Sequence, residues 1–184
     1  MKRILLLVLL AGAARRACAG DIPFRGLCAG DDAVYGARKA ASAPEVALAR
    51  DGDEMRRVWA EDVTGAYQDA QGLPAVDWDR EFVVAVFLGA RPAAGHGVQI
   101  EGVALKGKVL EVAVREVAPA APSVPPRPVS PYAMAACPRE RIPLAGILML
   151  RMVETGGPVI AERPAWSYRL MDSSHDGAAG GGER

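Results

Sequence analysis

The apolar run at residues 82–88 is the feature that most restricts what this chain can fold into. It reads Phe-Val-Val-Ala-Val-Phe-Leu, and five of its seven residues are β-branched or aromatic. A run this short is typical of a strand that protein covers on both faces, whereas buried helices are usually longer. The run therefore predicts a fully buried strand.

Alternating segments follow this strand along the chain. Apolar and polar residues alternate at 98–105 and, more clearly, at 109–117, with Lys106-Gly107-Lys108 between them. Alternation on either side of a short glycine-containing segment is typical of a β-hairpin. Two further segments, 145–153 and 159–170, predict a final strand pair, in which Pro164 favours an edge position for the second strand.

One helix is predicted, between the strand at residues 45–50 and the buried run. Asp51 and Glu54 have the spacing of a capping arrangement at a helix start. After them, apolar residues recur at three- and four-residue steps, which is helical spacing: Met55, Val58, Trp59, Val63.

These patterns together predict a mainly β (α+β) fold. We expect a single antiparallel β sandwich or barrel-like domain with one packed N-terminal helix. Six prolines at residues 119–131 exclude a helix or a central strand there. The predicted divisions are a signal peptide (1–19), a poorly defined N-terminal segment (20–44), the β domain (45–171) and a disordered tail (172–184).

The first residues have the pattern of a secretory signal peptide. A basic start at residues 1–3 precedes an apolar run at 4–14, and Ala17-Cys18-Ala19 offers a cleavage site. A lipoprotein modified at Cys18 and an uncleaved anchor are the alternatives. Cleavage after Ala19 predicts an exported protein, periplasmic or extracellular, with no stable membrane span.

Cleavage after Ala19 would change the net charge and the number of cysteines in the chain. The chain carries 22 basic and 22 acidic residues, and removal of four basic residues with the signal leaves 22 − 4 = 18 against 22. A net charge of −4 disfavours nucleic acid as a partner. The remaining cysteines, Cys28 and Cys137, form an even pair in an oxidising compartment, which predicts a disulfide between them.

No competent catalytic set is visible in the sequence, so we do not expect an enzyme. The chain has two histidines, and no serine lies in a nucleophile motif. Cys28 and His96 could form a thiol nucleophile and its base, but a disulfide cysteine and a surface histidine are the favoured interpretation. We expect no metal site, because ligands at a recognisable spacing are missing.

The candidate partner-binding residues lie in residues 89–97, which we call the 89–97 loop: Gly89, Arg91, Pro92, Gly95, His96, Gly97. Glycines permit positive φ, and Pro92 stiffens the turn. Arg91 would offer hydrogen-bond donors to a partner, and His96 a group that titrates near neutral pH. The alternative is a plain hairpin connection that merely needs glycine.

At this loop the sequence resembles the C-terminal domain of the PrcB family, whose members are called protease complex subunits or protease stability factors. The resemblance spans residues 45–142 and is carried by these segments: Trp59, residues 73–78, residues 82–92, Gly95, residues 97–100 and Pro131-Tyr132. Where the family pattern has Thr-Gly-Gly-Tyr, this chain has Ala93, Ala94, Gly95 and His96.

The resemblance implies a secreted, non-catalytic protein whose protein partner is an exported protease or another envelope protein, or a domain of undefined binding role. It implies no cofactor. The 89–97 loop is also similar to the Asn-Pro-Thr-Thr-Gly-Tyr loop of chagasin-like cysteine-protease inhibitors. The alternative function is therefore a protease inhibitor that presents this loop to an active site.

Overall fold

The computed structural model describes residues 20–33, 43–64, 72–119, 128–143 and 146–165. The helices and strands in these ranges are β1 (Arg25–Gly30), β2 (Glu45–Ala49), α1 (Gly52–Val58), a π-helical turn (Trp59–Thr64), β3 (Glu81–Phe87), β4 (Gly97–Lys106), β5 (Val109–Val117), β6 (Tyr132–Pro138), a 3-10 turn (Arg139–Arg141), β7 (Leu148–Glu154) and β8 (Val159–Ala165). The expected signal peptide (1–19) and tail (172–184) lie outside the described residues.

The strands form two four-stranded sheets that pack against each other. Sheet I has the order β1-β6-β3-β2, and sheet II has the order β4-β5-β7-β8. Most neighbours are antiparallel, but β5 and β7 run parallel, because the chain passes through sheet I as β6 before it returns to sheet II. The mainly β fold with one α-helix is confirmed, and β5 with β7 is a parallel pair within the mainly antiparallel arrangement that the sequence predicts.

Strand β3 is buried on both faces, as its composition predicts. Phe82, Val84 and Val86 belong to the core between the two sheets. Val83 and Phe87 point the other way and pack in a second apolar layer with α1 and the π-helical turn. The molecule therefore has three layers, in the order sheet II, sheet I and helix.

The start of α1 is the predicted cap. One carboxylate oxygen of Asp51 accepts hydrogen bonds of 2.9 Å from the backbone N–H groups of Asp53 and Glu54. Glu54 in turn accepts a 2.7 Å bond from the backbone N–H of Arg50. These bonds satisfy backbone donors that the first helical turn leaves without partners.

Both predicted hairpins are present. Gly107, at the turn between β4 and β5, has φ of 63°, and Gly156, between β7 and β8, has φ of 73°. Such positive φ values suit glycine because it has no Cβ. Strand β8, which contains Pro164, lies at the edge of sheet II, as the sequence predicts.

Strands β1 and β6 were not predicted from the sequence. Strand β6 is nevertheless an inner strand of sheet I, between β1 and β3, and its residues 132–137 are all buried. Its sequence, Tyr-Ala-Met-Ala-Ala-Cys-Pro, is rich in alanine, which has a low preference for strands. Strand β1 is equally short of β-branched residues, and it lies at the edge of sheet I.

The expected disulfide is absent, since Cys28 and Cys137 are both free thiols. Cys28 pairs in register with Met134 and packs with it in the layer beside α1, whereas Cys137 belongs to the core between the sheets. The two side chains therefore lie on opposite faces of sheet I. Cys137 also lies three residues beyond Met134 along β6, or about 10 Å from the position opposite Cys28, which is beyond the reach of a disulfide.

Candidate functional site

The 89–97 loop carries the chain from one sheet to the other. It leaves β3 in sheet I and enters β4 in sheet II, so it is a crossover at one end of the sandwich. The plain hairpin connection considered as an alternative is therefore wrong, because a hairpin joins neighbouring strands of one sheet. Loops at the end of a β sandwich are common positions for binding residues.

Two of the candidate glycines hold conformations that the loop requires. Gly89 is buried and has φ of 73°, and exposed Gly95 has φ of 92°. A Cβ on Gly95 would approach the Cβ of Pro119 to 2.8 Å, which is too close for any larger residue without a shift. The third glycine, Gly97, begins β4 and pairs with Val117.

The backbone of Arg91 is fixed to the segment that leads into β6. Its N–H donates to the carbonyl of Val129 at 2.7 Å, and the N–H of Val129 donates back at 2.9 Å. Three residues before Arg91, between β3 and the loop, the N–H of Leu88 donates to the carbonyl of Pro131 at 3.0 Å. These bonds prolong the pairing of sheet I beyond the end of β3.

The side chain of Arg91 is turned into the loop rather than toward solvent. Its Nε and Nη2 donate to the two carboxylate oxygens of Glu116 at 2.7 and 2.9 Å, and its Nη1 donates to the carbonyl of Leu88 at 2.8 Å. The side chain is 19% exposed. These bonds occupy most of the N–H donors that Arg91 was expected to offer to a partner.

His96 contacts the same carboxylate from the other end of the loop. Its Nδ1 lies 3.1 Å from Oε1 of Glu116, and its side chain is 18% exposed. Arg91 holds the pKa of Glu116 below its ordinary value, with a smaller contribution from His96. The carboxylate likewise raises the pKa of Arg91. We call Arg91, His96 and Glu116 the Glu116 cluster.

Sequence reasoning missed Glu116, although one signal pointed to it. The buried residues of β5 are on one face of the strand: Leu110, Val112 and Val114. Because side chains alternate between the two faces, Glu116 lies on that same face. An acidic side chain on the inward face of a strand end is stabilised by a cationic partner, because an unpaired charge is costly to bury. Arg91 supplies that partner from the 89–97 loop.

What the loop offers to solvent is its tip. Pro92 and Gly95 are exposed, and Ala93 and Ala94 between them are half-buried. The tip therefore presents small, largely apolar groups, while the Glu116 cluster and the bridge to Val129 hold both of its ends. Restricting the ends in this way lowers the entropy that binding must remove.

A second connection reaches the same end of the sandwich. Ser130 donates its backbone N–H to the carbonyl of Asp31 at 2.7 Å, and the N–H of Ala33 donates to the carbonyl of Ser130 at 3.2 Å. The segment that enters β6 thus lies between the chain leaving β1 and the 89–97 loop. These backbone bonds make the end of the sandwich one connected surface.

The thiol nucleophile considered from the sequence has little support in this geometry. Burial raises the pKa of the Cys28 thiol, and it raises that of Cys137 to about 12. A raised pKa lowers the thiolate fraction, and the thiolate is the reactive form. Within the described ranges, no group of three His, Cys, Asp or Glu side chains is placed to hold a metal ion.

The comparisons with known proteins add no family. No family model, curated protein or solved structure matches the chain. Among the described residues, no helix has the length and apolar character needed to cross a membrane.

Proposed function

We propose that this protein is an exported, non-catalytic binding module that associates with a protein partner, and that the partner is an exported protease. The surface for this association is the tip of the 89–97 loop with the adjoining end of the sandwich. The sequence contributes the signal-peptide pattern and the resemblance to the PrcB family. The structure contributes a fixed and exposed loop.

The main support for the proposal is that contacts at both ends of the 89–97 loop fix its conformation. Arg91 and His96, five residues apart, both contact Glu116, and the backbone of Arg91 also pairs with Val129. Pro92 and Gly95 stay exposed between these fixed ends. A loop fixed in this way before binding loses little conformational freedom when it meets a partner.

The roles of the predicted residues differ within this proposal. Arg91 and His96 shape the loop, because their polar atoms face Glu116. Pro92 and Gly95 are the residues in a position to touch a partner. Substituting the shaping residues would change the loop and the stability together, so the contact must be tested at the tip.

The matched variants are Pro92→Glu and Lys108→Glu. Both positions are exposed, and Lys108 lies in the β4–β5 turn, apart from the 89–97 loop. A purified exported protease from the native envelope would be tested for binding to each variant. We expect Pro92→Glu to weaken binding at least about tenfold and Lys108→Glu to leave it unchanged; equal binding by both variants would contradict the proposal.

An activity assay separates association from the inhibitor alternative. The same protease would be incubated with and without the chain, and its initial rate and its half-life would be measured. A longer half-life at an unchanged initial rate indicates a stabilising subunit. A reduced initial rate that Pro92→Glu restores indicates an inhibitor that presents the loop.

A further inference from the structure

A cavity of about 210 Å³ lies along β2, between α1 with its π-helical turn on one side and β7 and β8 on the other. Its lining residues come from these elements and do not include the 89–97 loop: Glu45, Ala47, Leu48, Arg50, Glu54, Arg57, Val58, Glu61, Asp62, Leu150, Arg163, Pro164, Ala165. It lies where the edge strands of the two sheets, β2 and β8, approach each other.

Arg50 is the unusual residue of this lining. It follows β2 directly and has the parity of Val46 and Leu48, which pack into the core between the sheets. The residue is only 7% exposed. None of its three guanidinium nitrogens has a hydrogen-bond partner among the described residues.

A buried guanidinium without acceptors is costly, because it has lost water and gained no bonds in exchange. Glu54 is the acidic group that acts on Arg50 through charge, but its bonding oxygen accepts from the backbone N–H of Arg50. Arg139 adds an unfavourable charge of the same sign. Arg91, in the 89–97 loop, has the bidentate carboxylate partner that Arg50 lacks.

We propose that the cavity binds a small organic monocarboxylate, whose carboxylate pairs with the guanidinium of Arg50. A carboxylate fits because its two oxygens match the planar fork of donors on arginine. The guanidinium nitrogens are covered, so binding includes a rotation of the Arg50 side chain toward the cavity.

The other residues that line the cavity restrict the size and the charge of the ligand. Apolar groups of Leu48, Val58 and Leu150 contribute to the walls, and the cavity has a volume of about 210 Å³. A short aliphatic chain attached to the carboxylate fits both properties. Four acidic residues also line the cavity: Glu45, Glu54, Glu61 and Asp62. Their repulsion is smaller for a single negative charge than for a multiply charged anion such as phosphate.

The carboxylate could belong to a free small molecule or to the C-terminus of a polypeptide, and the experiment separates these sources. The full chain, labelled with ¹⁵N, would be titrated at constant ionic strength with butyrate, with phosphate, and with N-acetyl-dialanine as the free acid or the amide. Amide resonances of Arg50 and Glu54 would report occupation of the cavity.

We expect butyrate to shift these resonances in a saturable way and phosphate to bind more weakly. Arg50→Gln should raise the dissociation constant for butyrate at least about tenfold, because it removes the charged fork. Arg25→Gln is the matched control, since Arg25 lies on β1, at the opposite edge of sheet I, and already has a bidentate partner in Glu81. Arg50→Lys keeps the charge without the fork and should bind with intermediate affinity.

Binding of the dialanine acid and not of its amide would assign the site to a polypeptide C-terminus. Binding of butyrate alone would assign it to a free carboxylate. The proposal is overturned if no carboxylate binds the wild-type chain, if phosphate binds as tightly as butyrate, or if Arg50→Gln binds butyrate as well as Arg25→Gln does. Because the cavity and the 89–97 loop share no residue, failure here leaves the proposed protease association standing.

Discussion

The guanidinium of Arg91 and the carboxylate of Glu116 meet through two hydrogen bonds, 2.7 Å from Nε to Oε1 and 2.9 Å from Nη2 to Oε2. One residue lies in the connection between the sheets, and the other lies near the end of β5 in sheet II. The pair therefore ties that connection to sheet II.

Arg91→Ala should lower the free energy of unfolding by about 1–2 kcal/mol, because it removes a bidentate pair that solvent screens only in part. Urea denaturation followed by tryptophan fluorescence measures the change. Arg115→Ala is the control, since the Arg115 side chain is 58% exposed, against 19% for Arg91, and loss of its ion pair with Glu101 should cost less than about 0.5 kcal/mol. Equal losses of unfolding free energy in the two variants would show that the Arg91–Glu116 pair stabilises the fold no more than a surface ion pair does.

The contribution of the Arg91–Glu116 pair should depend on pH in a defined direction. Arg91 holds the pKa of Glu116 in the folded state below its unfolded value of about 4.3. The stabilisation is therefore complete above about pH 4.3 and disappears as pH falls through the lower folded value. The stability difference between wild type and Glu116→Gln, measured from pH 7 to pH 2, should be largest at neutral pH and shrink in acid.

Gly95→Ala should destabilise the protein more than Gly107→Ala. Both glycines have positive φ, but a Cβ at Gly95 meets Pro119 at 2.8 Å, whereas a Cβ at Gly107 meets nothing within 4 Å. We expect losses of about 2–3 kcal/mol at Gly95 and about 1 kcal/mol at Gly107. Thermal unfolding of the two variants checks the order, and a reversed order would contradict the described approach of the loop to Pro119.

Arg50→Met should stabilise the folded protein. The substitution removes a buried guanidinium that has no acceptor among the described residues, and it keeps a side chain of similar length. The expected gain is about 1–3 kcal/mol in the free energy of unfolding. Guanidinium chloride denaturation measures it, and a lower midpoint for Arg50→Met than for wild type would mean that Arg50 is satisfied in solution.

Local patterns account for the elements that the sequence predicted. The apolar composition of β3, the alternation of β4 and β5 and the spacing of Asp51 and Glu54 each lie within a few consecutive residues. Each pattern has one structural solution that depends little on distant parts of the chain.

The elements that were missed depend on their neighbours. Strand β6 is rich in alanine and is a strand because β1 and β3 bind it on both edges. The parallel pairing of β5 with β7 depends on where β6 is placed between them in the chain. No short pattern encodes either relationship, because tertiary context decides both.

The candidate site was predicted in position but not in detail. The composition of the 89–97 loop identified Arg91 and His96, yet the partner of both is Glu116, 25 and 20 residues away in sequence. Only the parity of Glu116 on β5 pointed to that contact. Arg50, directly after β2, was recognisable in the same way, because the alternation of the strand places its charged side chain on the face that packs into the core.

The place of β6 inside sheet I governs the order in which the protein can form. Its two partners, β1 and β3, begin more than 100 and about 50 residues earlier in the chain, and β1 pairs with no other strand of its sheet. Sheet I therefore cannot close until residues 132–138 are available. Contacts between such distant segments slow folding, so a chain truncated before β6 should leave β1 without a partner and the hydrophobic core open to water.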